Sequence, residues 1–246
     1  MKRSSVCTLL LLAAFATSQA WASQYKVIYT FQGGSDASNP ESQLISDASG
    51  NLYGTTQFGG AHGLGTVFKL SNSGGTWTET VLYSFAGGTD GEEPVARLAM
   101  DAAGNLYGTT EAGGDPTCAT LHGYCGTVFE LSPGSNGTWT ENILVIFNDT
   151  NGLGPVGGLT LDAAGNLYGT TLGGGSGGWG IVFELTPNGD GTWTENIIHN
   201  FGLDNNGSKP NSDLVFDSAG NLYGTTADGG LMNDCLAGYE IGRAHV

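Results

Sequence analysis

Along this chain short runs alternate apolar and polar residues with a period of two, and the same runs return. Leu-Tyr-Gly-Thr-Thr occupies residues 52–56, 106–110, 167–171 and 222–226, each time directly after Gly-Asn. The pattern predicts strands, because a side chain on every second position of a strand faces the same side of a sheet. The first strand of each unit ends at an aspartate, as in Leu98 to Asp101, and the second is Asn-Leu-Tyr-Gly-Thr-Thr. A Gly-Gly loop leads to a third strand at Thr66–Leu70, Thr127–Leu131 and Ile181–Leu185. A fourth strand opens on Trp77, Trp139 or Trp193 and closes on Phe85, Phe147 or Phe201, and a polar loop then ends at Pro94, Pro155 or Pro210. No segment after the N-terminal leader carries a helical period.

The repeat aspartates are Asp47, Asp101, Asp162 and Asp217, at intervals of 54, 61 and 55 residues. The glycines that follow are Gly50, Gly104, Gly165 and Gly220. Asp-x-x-Gly-Asn reads as a tight turn, since aspartate accepts bonds from nearby backbone amides and glycine tolerates positive φ. A residue present at a turn in every copy is expected to be structural, so these aspartates are read as turn residues and not as a ring of catalytic carboxylates. Four short strands per unit at this period predict an all-β fold, a β-propeller-like array of four-stranded blades. The units run 44–97, 98–158, 159–213 and 214–239, three complete and a fourth half present. Residues 23–43 match strand four and its loop with no strands one to three before them, which makes Tyr25–Phe31 a ring-closing candidate.

The two ends read differently from the repeats. Lys2 and Arg3 precede an apolar run from Thr8 to Ala16 and a small-residue site at Ala20-Trp21-Ala22, the pattern of a cleaved signal peptide over residues 1–22. Residues 240–246, Glu-Ile-Gly-Arg-Ala-His-Val, reverse-translate to a common sequencing adapter and are expected to be non-native, with no strand-like alternation. Loss of Lys2 and Arg3 would move the formal charge from -16 to -18. Such a surface repels nucleic acid and anionic membranes, so neither is expected as a partner. No stretch beyond the leader has the roughly 18 to 20 apolar residues that a membrane helix needs.

Asn-Leu-Tyr-Gly-Thr-Thr, then Gly-Gly, then Gly-Thr-Val-Phe-Glu-Leu resembles the GloVer tandem-repeat family of exported bacterial proteins, over essentially all of the chain up to Tyr239. The resemblance implies a signal peptide, repeats of this length and one of several alternative C-terminal surface anchors. It implies little about chemistry, because that family is defined by its repeat.

Cys118 and Cys125 lie in a loop, Gly114 to Gly126, that is longer by seven residues than its counterpart Gly60 to Gly65. A disulfide stapling that enlarged loop is expected, as an exported protein permits. Aligning the segment that ends at Tyr239 with His122-Gly-Tyr124-Cys125 puts the expected partner of Cys235 directly after Tyr239, and no His/Cys quartet has zinc-ligand spacing. The oxygen-rich loops at Asp90, Asp149 and Asp204 are calcium candidates, although they lack the terminal glutamate of a calcium loop and fit solvated turns equally well. No other cofactor is expected. Trp77, Trp139 and Trp193 read as packing between blades, with a sugar-stacking platform as the alternative. His62, His122, His199 and His245 occupy unrelated repeat positions, and no nucleophile elbow or phosphate loop appears. The expected role is a non-catalytic secreted or surface-displayed module that contacts glycan or protein through propeller loops; the alternative is part of an extracellular glycan-active hydrolase or lyase. Residues that the copies do not share should hold the function.

Overall fold

The computed structural model describes residues 25–116, 125–202, 207–229 and 242–245. The expected leader, Cys118, His122, Asp204 and Cys235 lie outside these. Each repeat forms one antiparallel sheet. The first is β1 (Ile45–Ser46), β2 (Leu52–Thr56), β3 (Thr66–Ser73) and β4 (Thr76–Ser84), paired in chain order. The second is β5 (Ala99–Met100), β6 (Leu106–Thr110), β7 (Thr127–Pro133) and β8 (Trp139–Ile146), and the third is β9 (Thr160–Leu161), β10 (Leu167–Thr171), β11 (Ile181–Pro187) and β12 (Trp193–Asn200), paired alike. The fourth sheet centres on β15 (Leu222–Asp228), flanked on one edge by β13 (Ser208–Pro210) and β14 (Val215–Phe216) and on the other by β16 (Gly242–His245). This is the all-β, propeller-like array of blades that the sequence predicts. No helix among the described residues is long and apolar enough to cross a membrane.

Register explains the motif letter by letter. Gly54, Gly108 and Gly169 stand opposite Phe68, Phe129 and Phe183. A Cβ on Gly108 would lie 2.5 Å from the Phe129 ring and 2.8 Å from Leu98, so the glycine is the hollow into which the neighbouring strand's ring folds. The Phe that ends each fourth strand then packs on the ring of the next sheet: Phe85 on Phe129 at 5.1 Å and Phe147 on Phe183 at 5.2 Å. The two threonines differ in task. Thr56, Thr110 and Thr171 each donate to a carbonyl two residues on and so close their own loop. Thr55 and Thr170 instead donate to Ala96 and Ser212, which close their own repeats just ahead of the next sheet's first strand.

The cores therefore lie between sheets. Tyr53, Val67 and Phe85 of the first sheet meet Leu98, Leu106, Phe129 and Leu131 of the second. Val128, Val145 and Phe147 meet Leu159, Ile181, Phe183 and Leu185 of the third. Trp139 packs against the first of these clusters and Trp193 against the second, its ring 6.0 Å from that of Tyr107 in the preceding sheet. Inter-blade packing is thus where Trp139 and Trp193 go.

Some elements depart from expectation. Strand one is only two residues long in each copy, because the turn that follows already claims the aspartate. Strands three run two or three residues past the expected leucine. Residues 25–31 join no sheet among the described residues, yet Phe31 sits 4.9 Å from Phe68 as Phe85 sits on Phe129. Gly242–His245, expected to have no strand character, pairs with β15 in the register of a third strand: Arg243 stands opposite Thr225, where Val67 stands opposite Thr55. Backbone pairing needs no alternation of side chains, which is why the sequence pattern did not show it.

Candidate functional site

Each repeat aspartate is consumed by its own turn. Asp101 Oδ1 accepts from the amides of Ala103 and Asn105, both at 2.9 Å, and Oδ2 accepts from the Asn105 side-chain amide at 2.8 Å and the Tyr107 hydroxyl at 3.2 Å. Asp47, Asp162 and Asp217 repeat this set with Asn51 and Tyr53, Asn166 and Tyr168, and Asn221 and Tyr223. Burial works to raise the pKa of Asp47 and Asp162, but the bonds from Asn51 and Asn166 and from the neighbouring tyrosine outweigh it and the values fall. For Asp217 the Asn221 side chain leads, and the carboxyl drops to about 2. Gly50, Gly104, Gly165 and Gly220 close the turns at φ between 78° and 91°. Both oxygens of each aspartate are thus engaged by donors of its own turn, which is the arrangement of a turn residue; in the second and third repeats the tyrosine hydroxyl also lies 3.1 Å from Glu130 and 2.7 Å from Glu184.

The residue before each repeat proline has a different geometry. Asn39, Glu93 and Lys209 take φ of 62°, 58° and 54°, and Gly154 takes 61°. A side chain there is strained, and proline already restricts its predecessor. Two hydrogen bonds impose the conformation. Glu93 donates to Leu64 in the first sheet and its carbonyl accepts from Glu111 in the second; Gly154 bridges Cys125 and Leu172 likewise, and Lys209 donates to Trp179. These clasps tie neighbouring sheets on one rim, and their side chains are the ones that change from copy to copy. Gln57 links two of them, accepting from Asn39 at 2.7 Å and donating to Glu93 at 3.0 Å. Lys209 pairs with Asp228 at 2.8 Å.

On that rim a cleft of about 580 Å³ opens where the second, third and fourth sheets meet. Its wall is mainly apolar: Leu153, Leu172, a run of glycines and Trp179, whose side chain is 37% exposed. Glu111, Asp149 and Lys209 supply its charge. Trp179 stands where the first two copies have Leu64 and Cys125, and Leu172 where they have Gln57 and Glu111. Gly174 lets the two loops meet, because a Cβ there would lie 2.8 Å from the Gly152 backbone. Burial raises the pKa of Glu111, and the nearby charges of Glu93 and Glu41 add to it. An exposed indole beside hydrogen-bonding carboxylates suits a ligand with an apolar face and polar edges.

The remaining sequence candidates fall elsewhere. Asp90 spends Oδ1 on the Tyr83 hydroxyl at 2.6 Å and Oδ2 on the Ala86 amide. Asp149 lines the cleft, its backbone carbonyl accepting from Gly175 at 3.0 Å. No group of three or more potential ligands is drawn together among the described residues. Cys125 is fully buried just ahead of β7. Sequence reasoning missed the cleft because Trp179 stands alone at its repeat position. The signal available was that its counterparts are neither aromatic nor alike.

The profile of the Gloeobacter/Verrucomicrobia repeat matches residues 15–121 and 117–238. No curated protein matches the chain. Among solved structures, a 6-phosphogluconolactonase-like protein from Bacteroides uniformis is similar at 13% identity, with a TM-score of 0.52 over 86% of this chain and 57% of that one. A protein from Lactobacillus plantarum is similar at 16% identity, with a TM-score of 0.50 over 79% of this chain and 53% of that one. The chain thus spans little more than half the length of these structures, and at such identities the likeness is one of fold.

Proposed function

The chain belongs to the Gloeobacter/Verrucomicrobia repeat family, and we propose that it serves as an exported or cell-surface binding module that holds glycan or protein in the cleft around Trp179. The observation that carries this is the contrast between the turns and the rim. The repeated carboxylates are engaged by their own turns, whereas the rim gathers an exposed indole, Glu111, Asp149 and Lys209 where the copies stop matching. The signal-peptide pattern at residues 1–22 supports export, and the acidic surface supports a partner other than nucleic acid.

Export also supports a disulfide between Cys118 and Cys125, which would fix the enlarged loop of the second repeat next to the buried start of β7. Intact-mass analysis with and without reductant tests it, and free thiols at both positions in the secreted protein would refute it. Calcium at Asp90 would have to displace the Tyr83 hydroxyl and the Ala86 amide. Titration calorimetry on chelated protein checks the calcium reading, which needs heat beyond dilution.

One observation favours the second reading, an extracellular glycan-active hydrolase or lyase. Burial, with the charges of Glu93 and Glu41 adding to it, raises the Glu111 pKa, and a carboxyl with a raised pKa is what a general acid uses. A glycan array followed by reducing-end and unsaturated-product assays separates the two. Binding without turnover is expected; turnover abolished by Glu111→Gln would replace the module with the enzyme, and neither binding nor turnover would overturn both.

A further inference from the structure

Two residues after its tryptophan, the fourth strand of each of the first three sheets carries a glutamate: Glu79, Glu141 and Glu195. Oε1 of all three is buried and accepts no hydrogen bond; among the described residues only the hydroxyls of Thr109 and Thr226 share that condition. A buried ionised carboxylate with an idle oxygen is costly, so the recurrence requires a cause.

The contact between the first and second sheets supplies one through proton counting. Glu141 on β8 faces Tyr83 on β4 and Asp90 in the loop after β4. Across the strand pair it stands opposite the apolar Leu131, and β12, which also packs on β8, directs Glu195 to Asn151 instead. The Tyr83 hydroxyl lies 2.6 Å from Asp90 Oδ1 and 3.2 Å from Glu141 Oε2. A phenol has one proton. Asp90 takes it at the shorter distance, and its other oxygen already accepts from the Ala86 amide. Oxygen meets oxygen at Glu141 and Tyr83 unless Glu141 itself carries a proton.

We propose that this contact is a proton-dependent latch: protonated Glu141 donates to the Tyr83 hydroxyl, which donates to Asp90, and loss of the Glu141 proton loosens the first sheet from the second. Burial, then the Asp90 charge and a hydrogen bond between the Glu141 and Asp90 carboxyls, raise the Glu141 pKa to about 8, with the Tyr83 hydroxyl working against them. The same position in the first sheet, Glu79, is raised to about 7 by burial and by Asp36. Repeat three provides an internal contrast, because Asn151 replaces the aspartate there and its Nδ2 donates to Glu195 Oε2 at 2.9 Å. The second contact thus has its donor without a borrowed proton.

For a carboxyl whose folded pKa lies above its unfolded one, the stabilisation is complete below the ordinary range and is lost as pH rises through the folded value. Two measurements test the latch. Carbon-13 carboxyl titration of the intact chain by NMR should place the Glu141 midpoint well above an ordinary glutamate; an ordinary midpoint would overturn the proposal. Thermal unfolding should give a melting temperature that falls by ~3 °C or more between pH 6 and pH 9. Asp90→Asn, which copies the third repeat, and Glu141→Gln should each flatten that fall. A wild-type fall retained in full by both variants would overturn it as well. Asp90→Asn keeps an oxygen for Ala86, so the test survives if Glu141→Gln folds poorly.

Discussion

Replacing Asp101 by alanine removes the acceptor of four hydrogen bonds, two from turn amides, one from the Asn105 side chain and one from Tyr107. Bonds to an ionised acceptor contribute about 1.5–3 kcal/mol each when their donors are buried. Here the discount is large: Ala103 is exposed, so water can serve its amide, and the Tyr107 hydroxyl keeps Glu130 at 3.1 Å. Two bonds remain in effect, those of half-buried Asn105, and the net loss should be about 2–3 kcal/mol. For a chain of this size that lowers the melting temperature by ~4–10 °C. Asp101→Asn keeps Oδ1 for the amides but sets its NH₂ against that of Asn105, and should cost about half as much. Circular dichroism at pH 7 reads both. A shift within ~1 °C for the alanine variant would refute the structural assignment of the motif.

Other consequences are as direct. Gly108→Ala should destabilise by about 1–3 kcal/mol, because the new methyl meets Phe129 and Leu98, whereas Gly104→Asn should be nearly neutral, since Gly104 has open space and asparagine tolerates its positive φ; chemical denaturation of both checks the contrast. Asp213→Ala cuts the 2.8 Å ion pair with Arg97 and the 2.7 Å bond from the Gly158 amide, which tie together the segments just ahead of the first strands of the second, third and fourth sheets. It should cost about 1–2 kcal/mol, the half-exposed Arg97 being free to take up water. The melting temperature should fall as pH drops through and below the ordinary carboxylate range, because the lowered pKa of Asp47, Asp162 and Asp217 makes their contribution present above the unfolded value and lost as pH falls through the folded one. A melting temperature that stays level as pH falls through and below that range would contradict this.

Local chemistry was legible in the sequence, and contact across repeats was not. Asp-x-x-Gly-Asn declares its turn because donors, acceptor and glycine all lie within five residues, and Trp139 and Trp193 announce packing because they recur. Gly108 gave no such hint: its reason is a ring on a partner strand, and only register brings Phe129 opposite. Glu141 shows the same limit, since its partners Tyr83 and Asp90 are more than fifty residues away and in another sheet. The cleft was least visible, for it depends on Trp179, Glu111 and Lys209 arriving beside three different sheets at positions whose counterparts differ. Strained Lys209 and Glu93 could not be found from the residue before a proline, which ordinarily predicts extended backbone.

The most direct test of the division between structural turns and a functional rim compares the binding of two variants. Affinity electrophoresis through gels containing neutral and acidic polysaccharides, run below every melting transition, would place wild type, Trp179→Ala and Asp101→Asn side by side. The account expects a retarded wild type, an equally retarded Asp101→Asn and a freely migrating Trp179→Ala. Retention of binding by Trp179→Ala, with its loss in folded Asp101→Asn, would contradict it.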